Sequence, residues 1–127
     1  MGSLDKRRQA AVSFLRMCAS GRAREGFERF AAPGFRHHNP HFPDDASSLA
    51  AGMEANARQF PDKEVTVLRE IAEGDLVAVH SVVHHEKGDR GYALVHIFRF
   101  DDDDKVVELW DLAQEVPAES PNASGMF

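Results

Sequence analysis

The chain has one cysteine, one tryptophan and one tyrosine, and no apolar run of the length that crosses a bilayer. A lone cysteine, Cys18, rules out an internal disulfide, and its apolar neighbours make it core filler in a cytoplasmic protein. Positive charge is the scarcer sign: 15 Lys and Arg stand against 21 Asp and Glu, for a net charge of −6. Phosphate neutralisation needs a basic surface, so neither nucleic acid nor an anionic membrane is expected as a partner. The opening residues Met1 to Arg8 turn polar at once with no apolar run behind them, so no signal peptide or membrane span is expected. A length of 127 residues fits one domain, placed at 1–116, and the Pro-, Ser- and Asn-containing stretch 117–127 reads as a dangling tail.

What is present falls into two halves of different period. Leu4, Ala11, Phe14, Leu15 and Cys18 share a stripe at helical spacing, predicting a helix over 4–20. A second helix over 22–31 buries Phe27 and Phe30 and stops at Pro33-Gly34. Asp44 or Asp45 caps a third, with Leu49, Met53, Ala57 and Phe60 along one face until Pro61. From Lys63 the period becomes two, and four strands joined by turns at 73–75, 87–90 and 101–104 form an antiparallel meander. Helices followed by a meander give an α+β fold with helices on one face of a curved sheet. Asp101-Asp-Asp-Asp104 is a solvated hairpin loop, too short to wrap a calcium ion.

Strand register decides what the ionisable residues do. With Phe100 opposite Lys105, His96 faces Leu109 and Leu94 faces Asp111. Tyr92, Leu94, His96 and Phe98 then share a largely apolar face with Val107, Leu109, Asp111 and Ala113, and a diagonal His96–Asp111 hydrogen bond is expected. Across the 87–90 turn His80 falls near His96 and His84 near Tyr92, grouping His80, His96 and Asp111 round one cavity. His85 takes the other face with Val77, Val79, Ser81 and Val83. Together with Ala93, Val95, Ile97 and Arg99 these form an outer face too apolar for solvent. Arg99 and Glu108 pair across it, and Trp110 points the same way.

His38-Asn39-Pro40-His41 after a helix pair, Gly74-Asp-Leu-Val-Ala-Val-His80-Ser81 opening a strand, and Ile97-Phe-Arg-Phe100 followed by Lys105-Val-Val-Glu-Leu-Trp110-Asp111 resemble the SnoaL-like proteins. These are relatives of the polyketide cyclases in the nuclear transport factor 2-like superfamily. The resemblance runs from the first helix to Pro117. It implies a conical α+β barrel, three N-terminal helices packed into a strongly bent antiparallel sheet, an interior cavity and a homodimer through the outer sheet face. In the family pattern the position of His96 is commonly aspartate and that of Leu109 commonly histidine, so this chain departs at both. The Trp-Asp pair is kept at Trp110-Asp111.

The resulting expectation is a cofactor-independent cyclase, isomerase or lyase acting on a small carbonyl compound. Burial raises the pKa of an aspartate and an adjacent histidine pulls it back, so the pair exchanges protons near neutral pH. Asp111, His96 and His80 are the expected catalytic residues. His38, Asn39, Tyr92, Leu94, Phe98 and Leu109 are the expected substrate contacts, with no metal and no cofactor. The rival readings are a non-catalytic binder of a small hydrophobic ligand, a metal site from His37, His38, His41, His80 and His84, and a purely dimerising role for the outer face.

Overall fold

The computed structural model describes residues 2–127; Met1 lies outside the described residues. Helices α1 (Gly2–Ala19) and α2 (Ala23–Phe30) come first, then strand β1 (Ala31–His37) and helix α3 (Ala46–Gln59). Strands β2 (Glu64–Glu73), β3 (Leu76–His84), β4 (Tyr92–Phe100) and β5 (Val106–Glu115) complete the chain. The sheet order is β1-β5-β4-β3-β2. Three helices lie against one five-stranded, mainly antiparallel sheet, an α+β architecture. The sheet is open, with β1 and β2 as its edges, so the expected barrel is not closed. Bulges in β2 between Val67 and Arg69, and between β4 and β5 at Arg99 and Phe100, are the local bends of the sheet.

The helical stripe behaves as its spacing requires. Ala11, Phe14, Leu15 and Cys18 are buried and meet Val77, Val79, Phe98 and Leu109 of the sheet. Aromatic edges knit the layers: Phe14 lies 4.9 Å from Phe27 and 5.9 Å from Phe98, ring centre to ring centre. Of the two cap candidates for α3, Asp45 serves, its carboxylate accepting from Ser48 N and Ser48 Oγ, both at 2.8 Å.

Strand β1 is absent from the sequence reading, which ended α2 at Pro33-Gly34 and placed no strand there. It runs parallel to β5, and the pairing breaks between Ala31 and Arg36, where those two residues sit. Proline lacks a ladder donor and glycine weakens a strand, so an edge with a gap is the position such a sequence tolerates.

Register differs from expectation at both hairpins. His96 lies opposite Asp111, two residues from the expected Leu109, because the acidic loop adds one residue and an unpaired Val107 adds another. A two-residue shift leaves every side chain on its face. Between β3 and β4 the change is one residue: His96 lies opposite Val79, and His80 opposite Val95. One residue inverts the strand. Val77, Val79, Ser81 and Val83 therefore point inward, while Ala78, His80 and Val82 join the outer face. The cause is the connection, which spans 85–91 and is organised by Asp89, whose carboxylate accepts from the His85 and Glu86 N–H groups at 2.7 and 3.2 Å.

Among the described residues no helix is long and apolar enough to cross a membrane. Residues 117–127 hold no helix or strand, and Phe127 ends against the outer face, 6.2 Å from the His80 ring. Arg7 of α1 ties two hairpin loops together: its guanidinium donates to Asp104 Oδ1 (2.7 Å), Gly74 O (2.8 Å) and Asp101 O (3.1 Å). Asp101 in turn accepts from the N–H groups of Asp103 and Lys105, so the acidic loop is internally satisfied.

Candidate functional site

A cavity of about 600 Å³ opens between α1, α3, the 38–42 loop and the inner face of β2 to β5. Most of its wall is apolar, from Leu15, Leu49, Met53, Val65, Val83 and Leu94. His96 and Asp111 stand side by side in that wall, directly opposite one another on β4 and β5.

The expected hydrogen bond between them is not made. Asp111 Oδ2 instead accepts from Asn39 Nδ2 at 2.9 Å. Asn39 is itself fixed, because its Oδ1 accepts from His41 N at 2.9 Å and its own N–H donates to His37 Nδ1 at 3.0 Å. His37 completes the chain by donating from Nε2 to Pro43 O at 2.6 Å. The loop is stitched to β5 through His38 N and Leu109 O, 2.9 Å apart, so the strand that carries Asp111 also positions its partner.

His96 is 8% exposed, and its Nδ1 is buried with no partner among the described residues. Burial pushes the imidazole down to about 4; the Asp111 charge opposes this and the Lys63 ammonium adds to it. The ring is therefore neutral at physiological pH. An orphaned acceptor costs less than an orphaned N–H, which puts the proton on Nε2.

Of the other expected contacts, Asn39, Tyr92 and Leu94 line the cavity, as does His38 at its rim. His38 is otherwise engaged: its Nε2 donates to Glu108 Oε2 at 2.6 Å and its ring stacks on Trp110 at 5.0 Å. Those bonds, first from His38 and then from Arg99, hold the Glu108 carboxyl down at about 2. Phe98 and Leu109 are not cavity residues, since both are sealed in the core beneath α1, at 0% and 1% exposure. His80 is not in the cavity either: the one-residue register change puts it outside, where it bonds Arg69. With His80 outside and His37 committed to Pro43 and Asn39, the five-histidine metal reading has no centre. Among the described residues no three His, Cys, Asp or Glu side chains converge on one point.

Three cavity groups had escaped the sequence reading. His85 is one, brought inside by the same register change and packed 4.6 Å from Phe60 and 5.5 Å from Tyr92. Burial first, then Lys63, lower its pKa. The others are Lys63 and Asn56, joined Nζ to Oδ1 at 2.6 Å. Lys63 follows Pro61-Asp62 at a strand start and so looks like a solvated turn residue.

Residues 11–109 match the SnoaL-like domain. The chain belongs to the SnoaL-like family. Solved structures share the fold. AclR of Streptomyces galilaeus, a proposed hydroxylase, is 24% identical with a TM-score of 0.71, over 87% of this chain and 90% of that one. A proposed SnoaL-like isomerase from Agrobacterium tumefaciens is 13% identical with a TM-score of 0.70, over 90% and 99%. A proposed ketosteroid isomerase from Kribbella flavida is 22% identical with a TM-score of 0.69, over 94% and 85%. No curated protein matches the chain. Different reactions are named on one SnoaL-like frame, so the frame does not choose the chemistry.

Proposed function

We propose that this SnoaL-like protein moves protons on a small carbonyl compound, as an isomerase, cyclase or lyase that needs no cofactor. The observation that carries the reading is the direct opposition of Asp111 and His96 in the wall of an apolar cavity, with the carboxylate held in place by Asn39.

In this reading Asp111 takes a proton from the carbon beside the carbonyl. His96, neutral because it is buried, donates its Nε2–H to the oxygen on which the enolate charge develops. The bound enolate then has two outcomes. Protonation by the Asp111 carboxylic acid at another carbon gives an isomer, whereas attack on a second carbonyl of the same molecule closes a ring and leaves an alkoxide to collect that proton. Asn39 is a positioning residue. It keeps one oxygen of Asp111 occupied and turns the other toward the cavity. Tyr92 and Leu94 contact the substrate body, and His38 closes the rim.

The reading extends to the assembly: a second copy covers the outer face, where Val95, Ile97 and Trp110 are only half-buried.

Exchange of α-hydrogen for deuterium tests the chemistry without knowledge of the substrate. A panel of small aryl and alkyl ketones is incubated with the protein in D₂O and followed by proton NMR. Wild type accelerates exchange of at least one member, and Asp111→Asn lowers that rate by about 10²–10⁴-fold while circular dichroism is unchanged. Ketones that bind in the cavity but exchange only at the solvent rate would leave a binding protein and end the catalytic reading.

A further inference from the structure

Among the described residues Lys63 is the one Lys or Arg that lines the cavity, and the proton-transfer chemistry does not use it. Lys63 lines the wall, its ammonium 2.6 Å from Asn56 Oδ1. Asn56 Oδ1 satisfies one of its three N–H groups. No carboxylate forms an ion pair with Lys63 among the described residues. Glu54, on the same helix as Asn56, pairs with Arg24 at 2.8 Å, and Asp111 of β5 accepts from Asn39; Asp62 and Glu64, which flank Lys63 in the chain, are exposed and do not line the cavity. An ammonium drawn from water into an apolar pocket without a counter-charge is costly, and an anion entering the pocket removes that cost. Asn56 adds a second donor, because its Oδ1 faces Lys63 and its Nδ2 makes no hydrogen bond among the described residues. The remaining neighbours fit the same ligand: Cys18, His85 and Met53 offer no negative charge, and burial raises the Cys18 thiol to about 12.

We propose that Lys63 and Asn56 form an anion subsite that takes the carboxylate of the ligand, so that the molecule bound here is an apolar carboxylic acid. The acid's carboxylate sits on Lys63 and Asn56, and its apolar body lies along Met53, Val65, Val83 and Leu94. In a keto acid the carbonyl end then reaches His96 and Asp111. This deepens the proposed function by naming its substrate class, and it rests on the same cavity, although not on turnover.

Burial lowers the Lys63 pKa, in keeping with an ammonium that lacks a partner. Its charge also opposes protonation of both His96 and His85. A carboxylate docked on Lys63 screens that charge, so substrate acids and neutral analogues meet a different imidazole.

Calorimetric titration with three matched pairs, benzoate and benzamide, 2-naphthoate and 2-naphthamide, decanoate and decanamide, reads the subsite directly. The acid of at least one pair binds wild type about tenfold or more tighter than its amide. Lys63→Met abolishes that preference while leaving the amide affinity within about twofold, and Lys63→Arg keeps it. Asn56→Ala weakens the acid and not the amide. Equal binding of acid and amide, an unchanged acid affinity in Lys63→Met, or binding of no pair overturns the subsite. Asp111→Asn separates the two ideas: if it keeps the acid preference but has the same deuterium exchange as wild type, catalysis by Asp111 fails and the subsite stands.

Discussion

At the scale of single residues the decisive contrast is between two groups that face each other across one strand pair. Asp111 is half-buried and hydrogen-bonded; His96 is sealed and unpaired at Nδ1. Their difference has a measurable pH signature. His96 has a folded pKa of about 4 against 6.5 for a free imidazole, so between those values the unfolded chain holds the extra proton. Stability is full above 6.5 and falls as the pH drops toward about 4. The steepest slope this one group can add is about 1.4 kcal/mol per pH unit. Urea midpoints measured across this window will show the fall in wild type, and His96→Gln will flatten it. His85, whose pKa is also lowered, leaves a smaller slope of the same sign. An equally steep fall in His96→Gln would mean that the imidazole is not held neutral by burial. Glu108 works in the lower part of the scale: its depressed pKa contributes stability that is fully present above 4.5 and is lost progressively as the pH falls from there through about 2.

At the scale of elements, the β3–β4 connection determines which histidines see the cavity. Gly91 closes it at φ +83°, and a Cβ there would come within 2.7 Å of Val83 O. Gly88, in the same connection at φ +84°, has open space around it. The two glycines share the backbone penalty and differ only in room. Gly88→Ala should therefore cost about 1 kcal/mol and Gly91→Ala about 2 kcal/mol or more, read from chemical denaturation. Equal losses would show that the Val83 contact does not fix the hairpin. The same connection marks the limit of what the sequence reveals. Alternation of period two placed Tyr92, Leu94, His96 and Asp111 on one face correctly, because the one extra loop residue and the unpaired Val107 of β5 cancel in parity. It placed His80 and His85 on the wrong faces, because Asp89 lengthens the other connection by an amount no residue pattern announces. The helices were legible because Ala11, Phe14, Leu15 and Cys18 in α1, and Leu49, Met53 and Ala57 in α3, recur at 3.6-residue spacing. Strand β1 was not, since its Pro33 and Gly34 carry the signals of a chain break. Lys63 and Asn56 escaped because only the turn after α3, in which Lys63 N donates to Phe60 O at 3.1 Å, folds the lysine back onto the last turn of that helix.

At the scale of the whole molecule, the open sheet leaves an outer surface on which Ile97 is central, flanked by Ala78 and Trp110. If a second copy covers it, light scattering after size exclusion will report twice the monomer mass, and Ile97→Glu will return the monomer with its circular dichroism intact. A monomeric wild type would remove the assembly from the proposed function without touching the cavity. The latch formed by Arg7 has a consequence of a different kind, in time. Its three acceptors lie 67, 94 and 97 residues along the chain, and they come into place only when both hairpins have turned. Contacts of that sequence separation are slow to form, because the entropy of closing so long a loop is lost before the bond is gained. During synthesis Arg7 must therefore wait without these bonds until Asp104 has emerged, and a residue in the first turns of the first helix is among the last to find its place.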